Sequence, residues 1–285
     1  MVLFKFDNKR SGKRGVSPAI STVIMTGAMV AILAVTLGFA NNFLWTRVAE
    51  GDFNSSKQLM QTVGYQIDDV AWTSGRTETV NYGSQYGDVL FQESALTYNV
   101  TVHRNSLPDY VVTAETGALM FVFPTSRYSI SNDYFENIFP SQTSSLIMNG
   151  TSAPVARVFA LEKLPMADGN YIRVVVVPSV RVLNSTIITS GSTTNYIRMY
   201  LPVLTAGEAP RLSQSITLTG ESLDARTLND ITGITVGVSY DDGSVIDFAF
   251  SQFNFGSEEN LSLATEGKIV LELYLSEVSV GIGVN

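Results

Sequence analysis

The chain has 285 residues, enough for one large or two modest domains, and 45% of them are apolar, so a sizeable core is available. The net charge of −8 is unevenly spread: residues 1–15 hold five basic side chains (Lys5, Lys9, Arg10, Lys13, Arg14) against Asp7, and the rest hold 13 basic and 25 acidic ones. So acidic a body repels a phosphate backbone and excludes nucleic acid as a partner, the absence of cysteine excludes disulfides and thiolate metal sites, and a single histidine, His103, excludes multi-histidine metal centres.

No charged residue occurs between Arg14 and Arg47. A membrane-spanning helix needs roughly 20 largely apolar residues, and 23–40 supplies most of them, with Ala19 and Ile20 extending the run. The basic cluster sits directly before this run. That predicts a cytoplasmic N-terminus and an external position for everything from Arg47 onward. Ser17-Pro18 predicts the helix start, with serine as N-cap and proline at the first helical position, where its missing N–H costs nothing. Gly27, Ala31, Ala34 and Gly38 are spaced four, three and four apart. They form one stripe of small residues that lets another helix approach closely.

Three fates are open to this segment. A conventional secretory signal would be cut after Gly38-Phe39-Ala40. An uncleaved anchor would keep the whole segment. The third fate follows from a resemblance. Lys13-Arg14-Gly15, then Val16-Ser17-Pro18-Ala19-Ile20-Ser21-Thr22 and a long apolar helix, resembles the N-terminus of archaeal type IV pilin-like proteins over about residues 10–45. The resemblance implies that a prepilin peptidase cuts on the cytoplasmic side between Gly15 and Val16, so that Lys13, Arg14, Gly15 and Val16 mark the leader cleavage site and the apolar helix stays on the mature chain. Position 20 is Ile, where bacterial pilins carry a glutamate.

Residues 41–72 continue without proline, with a bend expected at Gly51-Asp52. Met60, Val63, Ile67 and Val70 are spaced three, four and three apart, the stripe of an amphipathic helix, while Gln58, Gln61, Gln66 and Asp69 fall elsewhere on the wheel. Ser74-Gly75 is a natural stop. From residue 76 onward short β-rich runs alternate with turn residues, at 89–91, 96–103, 110–113, 119–123, 155–161, 171–177, 196–203, 216–219, 234–240, 245–253 and 269–280. In "LTYNVTVH", Leu96, Tyr98, Val100 and Val102 point one way and Thr97, Asn99, Thr101 and His103 the other. Asp242-Gly243 predicts a hairpin tip. The Ser/Thr/Asn-rich tracts 141–152 and 184–195 read as loops, and "NYIRVVVVP" at 170–178 resembles "NYIRMYLP" at 195–202, as a weak repeat or two paired strands of similar chemistry would.

The predicted architecture is α+β. A leader (1–15) precedes a hydrophobic transmembrane or assembly helix (16–46) and an amphipathic stalk helix (47–75). An all-β head of sandwich or barrel type (76–285) follows. No nucleotide-binding loop or nucleophile elbow is present. Asp241-Asp242-Gly243 and Glu258-Glu259 read as a turn and a solvated charge pair rather than a calcium site. His103 reads as a surface histidine and Asp68-Asp69 as divergent helix neighbours. The expectation is therefore no enzyme, no metal and no cofactor. Five sequons, at Asn54, Asn99, Asn149, Asn184 and Asn260, are candidate N-glycosylation sites on an outward-facing head, Asn149 and Asn184 foremost because they lie in the loop-like tracts. The resemblance implies a cell-surface filament subunit whose partners are copies of itself or related pilins, the prepilin peptidase, the membrane before assembly, and an ATP-driven assembly machinery. The alternative is a non-polymerising surface binding protein, anchored or secreted.

Overall fold

The computed structural model describes residues 18–84, 87–124, 134–141, 145–162, 171–208, 213–239, 257–264 and 267–283; the expected cleavage site Lys13-Arg14-Gly15-Val16, the N-cap Ser17, the run 245–253 and the turn Asp242-Gly243 lie outside them. One helix, α1 (Pro18–Ala71), is followed by β1 (Thr77–Asn81), β2 (Asp88–Arg104), β3 (Tyr110–Pro124), β4 (Phe135–Phe139), β5 (Ile147–Asn149), β6 (Ala156–Glu162), β7 (Tyr171–Pro178), β8 (Val180–Thr189), β9 (Ser192–Ala206), β10 (Ser215–Asn229), β11 (Ile231–Ser239), β12 (Glu258–Leu261) and β13 (Lys268–Gly283). The chain divides into two compact units, Met1–Val48 and Ala49–Asn285. The helix continues through Gly51-Asp52 without a break.

Within the second unit the helical stripe is the keystone. Met60, Val63, Ile67 and Val70 are fully buried, joined by Ala49, Phe53, Ser56, Gly64 and Ala71. Gln58 and Asp69 are exposed and Gln61 and Gln66 half-buried, as the wheel predicts. Two glycines set the approach of helix to sheet. A Cβ on Gly64 would come within 3.1 Å of the Val158 side chain, so the helix axis lies close to β6. A Cβ on Gly220 of β10 would lie 2.3 Å from the Val70 carbonyl oxygen, so only glycine fits under the helix end. The helix stops at Ala71. The Thr73 N–H then reaches the Val70 carbonyl at 3.2 Å, and Gly75, at φ +81°, donates its N–H to the Gly220 carbonyl at 2.7 Å.

The strands form two sheets, one of six in the order β1-β10-β13-β9-β8-β5 and one of seven in the order β12-β11-β2-β3-β7-β6-β4. Pairing is antiparallel except for β13 with β9 and β5 with β8. Their facing surfaces enclose a first core, with Tyr98, Val100, Met120 and Val175 from the larger sheet and Val182, Met199, Leu271 and Leu273 from the smaller. The opposite faces contribute to a second core, in which Phe121, Phe123, Val174 and Val176 meet Ile216, Leu218, Val278 and Val280 and the α1 stripe. The run Val174–Val177 alternates between the two cores, so the strand is apolar on both faces. Leu96, Tyr98, Val100 and Val102 are all fully buried on one face of β2, in agreement with the alternation.

The sequence underestimates the β content. The tract 184–195 is a hairpin, the outer parts of β8 and β9 in register from Arg181–Tyr200 to Thr189–Ser192, and 141–152 contains β5. Serine, threonine and asparagine read as loop because no apolar face accompanies them. Here the hairpin runs past the core, so both its faces can be polar. The outer strands β1, β4, β5 and β12 are only three to five residues long, too short to display a periodic pattern. The two "NYIR" segments do not pair: β7 and β9 lie in different sheets.

The stripe sets the stability of the head. Ile67→Ala should cost about 2–5 kcal/mol in urea unfolding, whereas Thr62→Ala on the exposed side of α1 should stay within about 0.5 kcal/mol. A chain beginning at Ala49 should melt cooperatively, and one beginning at Arg76 should not.

Candidate functional site

The described part of the first unit is the helix segment 18–48, and it is apolar on all sides with no buried residue in its membrane-length window. Phe39 is 79% exposed, and Val23, Val35 and Leu37 are nearly as bare. Each such side chain gains about 1.5–3 kcal/mol on leaving water. More than a dozen therefore represent a driving force on the order of 20 kcal/mol or more, which exceeds the net stability of a typical domain. Such a surface suits a lipid or another apolar surface better than water.

Its polar groups are prepared for such cover. Between residues 22 and 40 the only polar side chains are Thr22, Thr26 and Thr36. Each hydroxyl donates back along the helix: Thr22 to the Pro18 carbonyl at 2.8 Å, Thr26 to the Thr22 carbonyl at 2.8 Å, and Thr36 to the Ile32 carbonyl at 2.7 Å. With the backbone satisfied by the helix itself, this stretch leaves no side-chain hydroxyl in want of water. Its 19 residues rise about 28 Å, close to the hydrocarbon thickness of a bilayer. Asn41-Asn42 ends the run, and the Arg47 guanidinium lies 5.1 Å over the Phe43 ring, with Phe39 and Trp45 nearby in sequence. Aromatic and cationic side chains at that boundary suit a membrane–water interface. Gly27 and Gly38 have open space where a Cβ would stand, and Ala31 and Ala34 are exposed with them.

The second half of α1 is fastened to the head by two charged clusters. Lys57 Nζ bonds Glu136 Oε2 at 2.6 Å and lies 4.6 Å over the Phe53 ring, and Tyr134 donates to the same carboxylate. Burial pushes the Glu136 carboxyl up, but the hydrogen bonds from Lys57 and Tyr134 and the Lys57 charge outweigh it and hold the group below its ordinary value. Further along, Asp68 accepts from Arg181 Nη1 at 2.8 Å and from Trp72 Nε1 at 2.7 Å. Arg181 lies 4.8 Å over the Tyr200 ring, which stacks on Tyr274 at 4.9 Å. Asp69 instead approaches Arg76 at 4.0 Å, so the two adjacent carboxylates do diverge.

All five sequon asparagines are described. Asn54 is exposed on α1, Asn149 at the end of β5, Asn184 on β8 and Asn260 on β12, and Asn99 is half-buried on β2. Asn99 Oδ1 accepts from Thr113 at 2.9 Å and Asn260 Oδ1 from Thr235 at 2.6 Å. His103, part-exposed, contacts Asp109 at 2.9 Å and Thr235 at 3.2 Å. Glu259 is not a solvated charge: its carboxylate accepts from Ser145 Oγ at 2.7 Å, from the Leu146 N–H at 2.6 Å and from the Ile147 N–H at 3.2 Å, tying β12 to the start of β5. Sequence spacing had no signal for that contact, because the partners are more than a hundred residues apart. No group of acidic, histidine or cysteine side chains among the described residues is arranged to hold a metal. Comparison with protein-family models, with curated proteins and with solved structures finds no significant match for this chain.

The Glu136 cluster has a pH signature. A carboxyl depressed in the folded state adds stability that is fully present above its ordinary value of 4.5 and is lost as pH falls through the lower folded value. The gap in melting temperature between the native chain and Glu136→Gln should therefore be open at neutral pH and close as the pH falls below 4.5. A gap that is constant with pH would contradict the assignment.

Proposed function

We propose that this protein is a type IV pilin-like subunit of an archaeal cell-surface filament, with a structural rather than a catalytic role. One observation carries the reading: a single helix whose first half is bare and apolar all round and whose second half is part of the head's own core. A helix with no apolar cover of its own requires a partner surface, and a helix whose other half is locked into a folded domain carries that domain wherever it goes.

In this reading the peptidase cuts after Gly15. The helix beginning at Val16 holds the subunit in the membrane, and assembly then exchanges lipid for equivalent helices. The stripe Gly27, Ala31, Ala34 and Gly38 allows the close approach that such packing needs, since in lipid the helices associate by contact and not by escape from water. The back-bonded threonines suit both environments. The β head lies outside and supplies lateral contacts or adhesion. Partners are the prepilin peptidase, the membrane, the assembly machinery, and other copies or related pilins. The same bare helix would serve a single non-polymerising anchor, so the test must separate the two.

Val16 should be the first residue of the mature protein isolated from cells. Asn41 would replace this reading with ordinary secretion, and an intact Met1 with a plain anchor. In cells making Gly27→Leu with Ala34→Leu, the mature chain should accumulate in the membrane while filaments fall by roughly tenfold or more. Unchanged filaments would show that the stripe does not pack.

A further inference from the structure

Among the described residues, one edge of the smaller sheet is open. β8 is flanked on one side by β9 along its length but on the other by β5 only over 180–182, because β5 is three residues long. Among the described residues no strand lies beside 183–189. Residues 184–189 are exposed on both faces, with Ile187 53% and Ile188 74% exposed. An open strand edge is a template for pairing with another chain, and proteins blunt such edges with charge, proline, bulges or cover. The other outer strands follow that rule: Glu78 on β1, Glu221, Asp224 and Arg226 on the free stretch of β10, Glu136 on β4, and Glu258 on β12. The segment Leu183-Asn184-Ser185-Thr186-Ile187-Ile188-Thr189 has no charge and no proline, and its register with β9 is unbroken. Seven uncharged, β-branched-rich residues on a free edge make an aggregation hazard.

That segment contains a sequon, Asn184-Ser185-Thr186, and a second, Asn149-Gly150-Thr151, begins where β5 stops. Asn149 pairs with Val182, one strand across and two residues back from Asn184. Strand spacing and rise put the two asparagines about 8 Å apart. By alternation Asn184 shares its face with Ile188. The topology thus brings two acceptor amides to the mouth of the open edge.

We propose that Asn184, with Asn149 beside it, carries an N-linked oligosaccharide that covers the free edge of β8 and blocks strand pairing between heads. The transfer joins Asn184 Nδ2 to the anomeric carbon of a lipid-phosphate-linked oligosaccharide. The bond from that carbon to the phosphate oxygen breaks, the lipid phosphate leaves with the electron pair, and the amide gives up one proton. Hydrated glycan fills the slot where a further strand would add. The proposal rests on the reading that the head faces outward, since the donor and the modified residue must meet on that side.

Peptide mass spectrometry of the full-length protein from its own cells should find glycan on Asn184. Asn184→Gln should melt as the native chain does yet yield roughly tenfold more sedimenting β-rich material, and Thr186→Ala, which keeps the amide but removes the sequon and the Thr186 bond to Asn195, should sediment to the same extent. Adding Ile187→Lys to Asn184→Gln should restore solubility without glycan. A bare Asn184 in the native protein overturns the proposal, as does a glycosylated Asn184 whose loss leaves sedimentation unchanged. Glycan on Asn99 or Asn260 with Asn184 bare would sink the edge guard alone and leave the outward head standing. Protease shaving of intact cells reads the side of the head independently of any glycan.

Discussion

The structure turns on one contact, the burial of Met60, Val63, Ile67 and Val70 between the outer face of the larger sheet and the ends of the smaller one. The strands of the second core would otherwise present Phe121, Phe123, Val174 and Val176 to water on a face as apolar as the one they turn inward. From Ala49 onward the helix is therefore not an appendage of the head but one of its layers. Gly64 and Gly220 fix how closely that layer sits, and the Lys57 and Asp68 clusters fix its ends. The charged clusters are partly exposed and contribute modestly, so apolar burial of the stripe does most of the stabilising.

From this follows the division of labour along α1. The helix obeys two solvation rules within one element. Past Ala49 its apolar residues occupy one side and are covered by the chain itself; before it they occupy every side, and the three threonines of the span bond inward. A membrane meets the second demand, and so does a bundle of like helices. In the proposed function, a helix that meets both demands would let a subunit pass from one to the other without refolding its head.

How much of this was legible in the sequence depends on whether a residue's role is local. The apolar run, the stripe at 60–70, the stop near Gly75 and the alternation of Leu96 to Val102 are set by spacing along one element, and spacing is what a sequence displays. The bond of Glu259 to the β5 amides, the clasp of Asp68 by Arg181 and the tight seat of Gly220 depend on residues brought together from far along the chain. The hairpin at β8 and β9 escapes a sequence reading for a third reason: strands that leave the core lose the apolar face by which strands are recognised. Its exposed edge, and the nearness of Asn149 to Asn184 beside it, became visible only with the sheet order.

The account's central claim is that the bare half of α1 is covered by equivalent helices from other copies. Imaging of native filaments at a resolution that traces side chains tests it most directly. The claim predicts a filament core in which 22–40 of each subunit contacts only the same segment of its neighbours, without lipid, and β heads around the outside. Surface material in which the chain occurs only as separate copies, each with that segment in lipid, would contradict it.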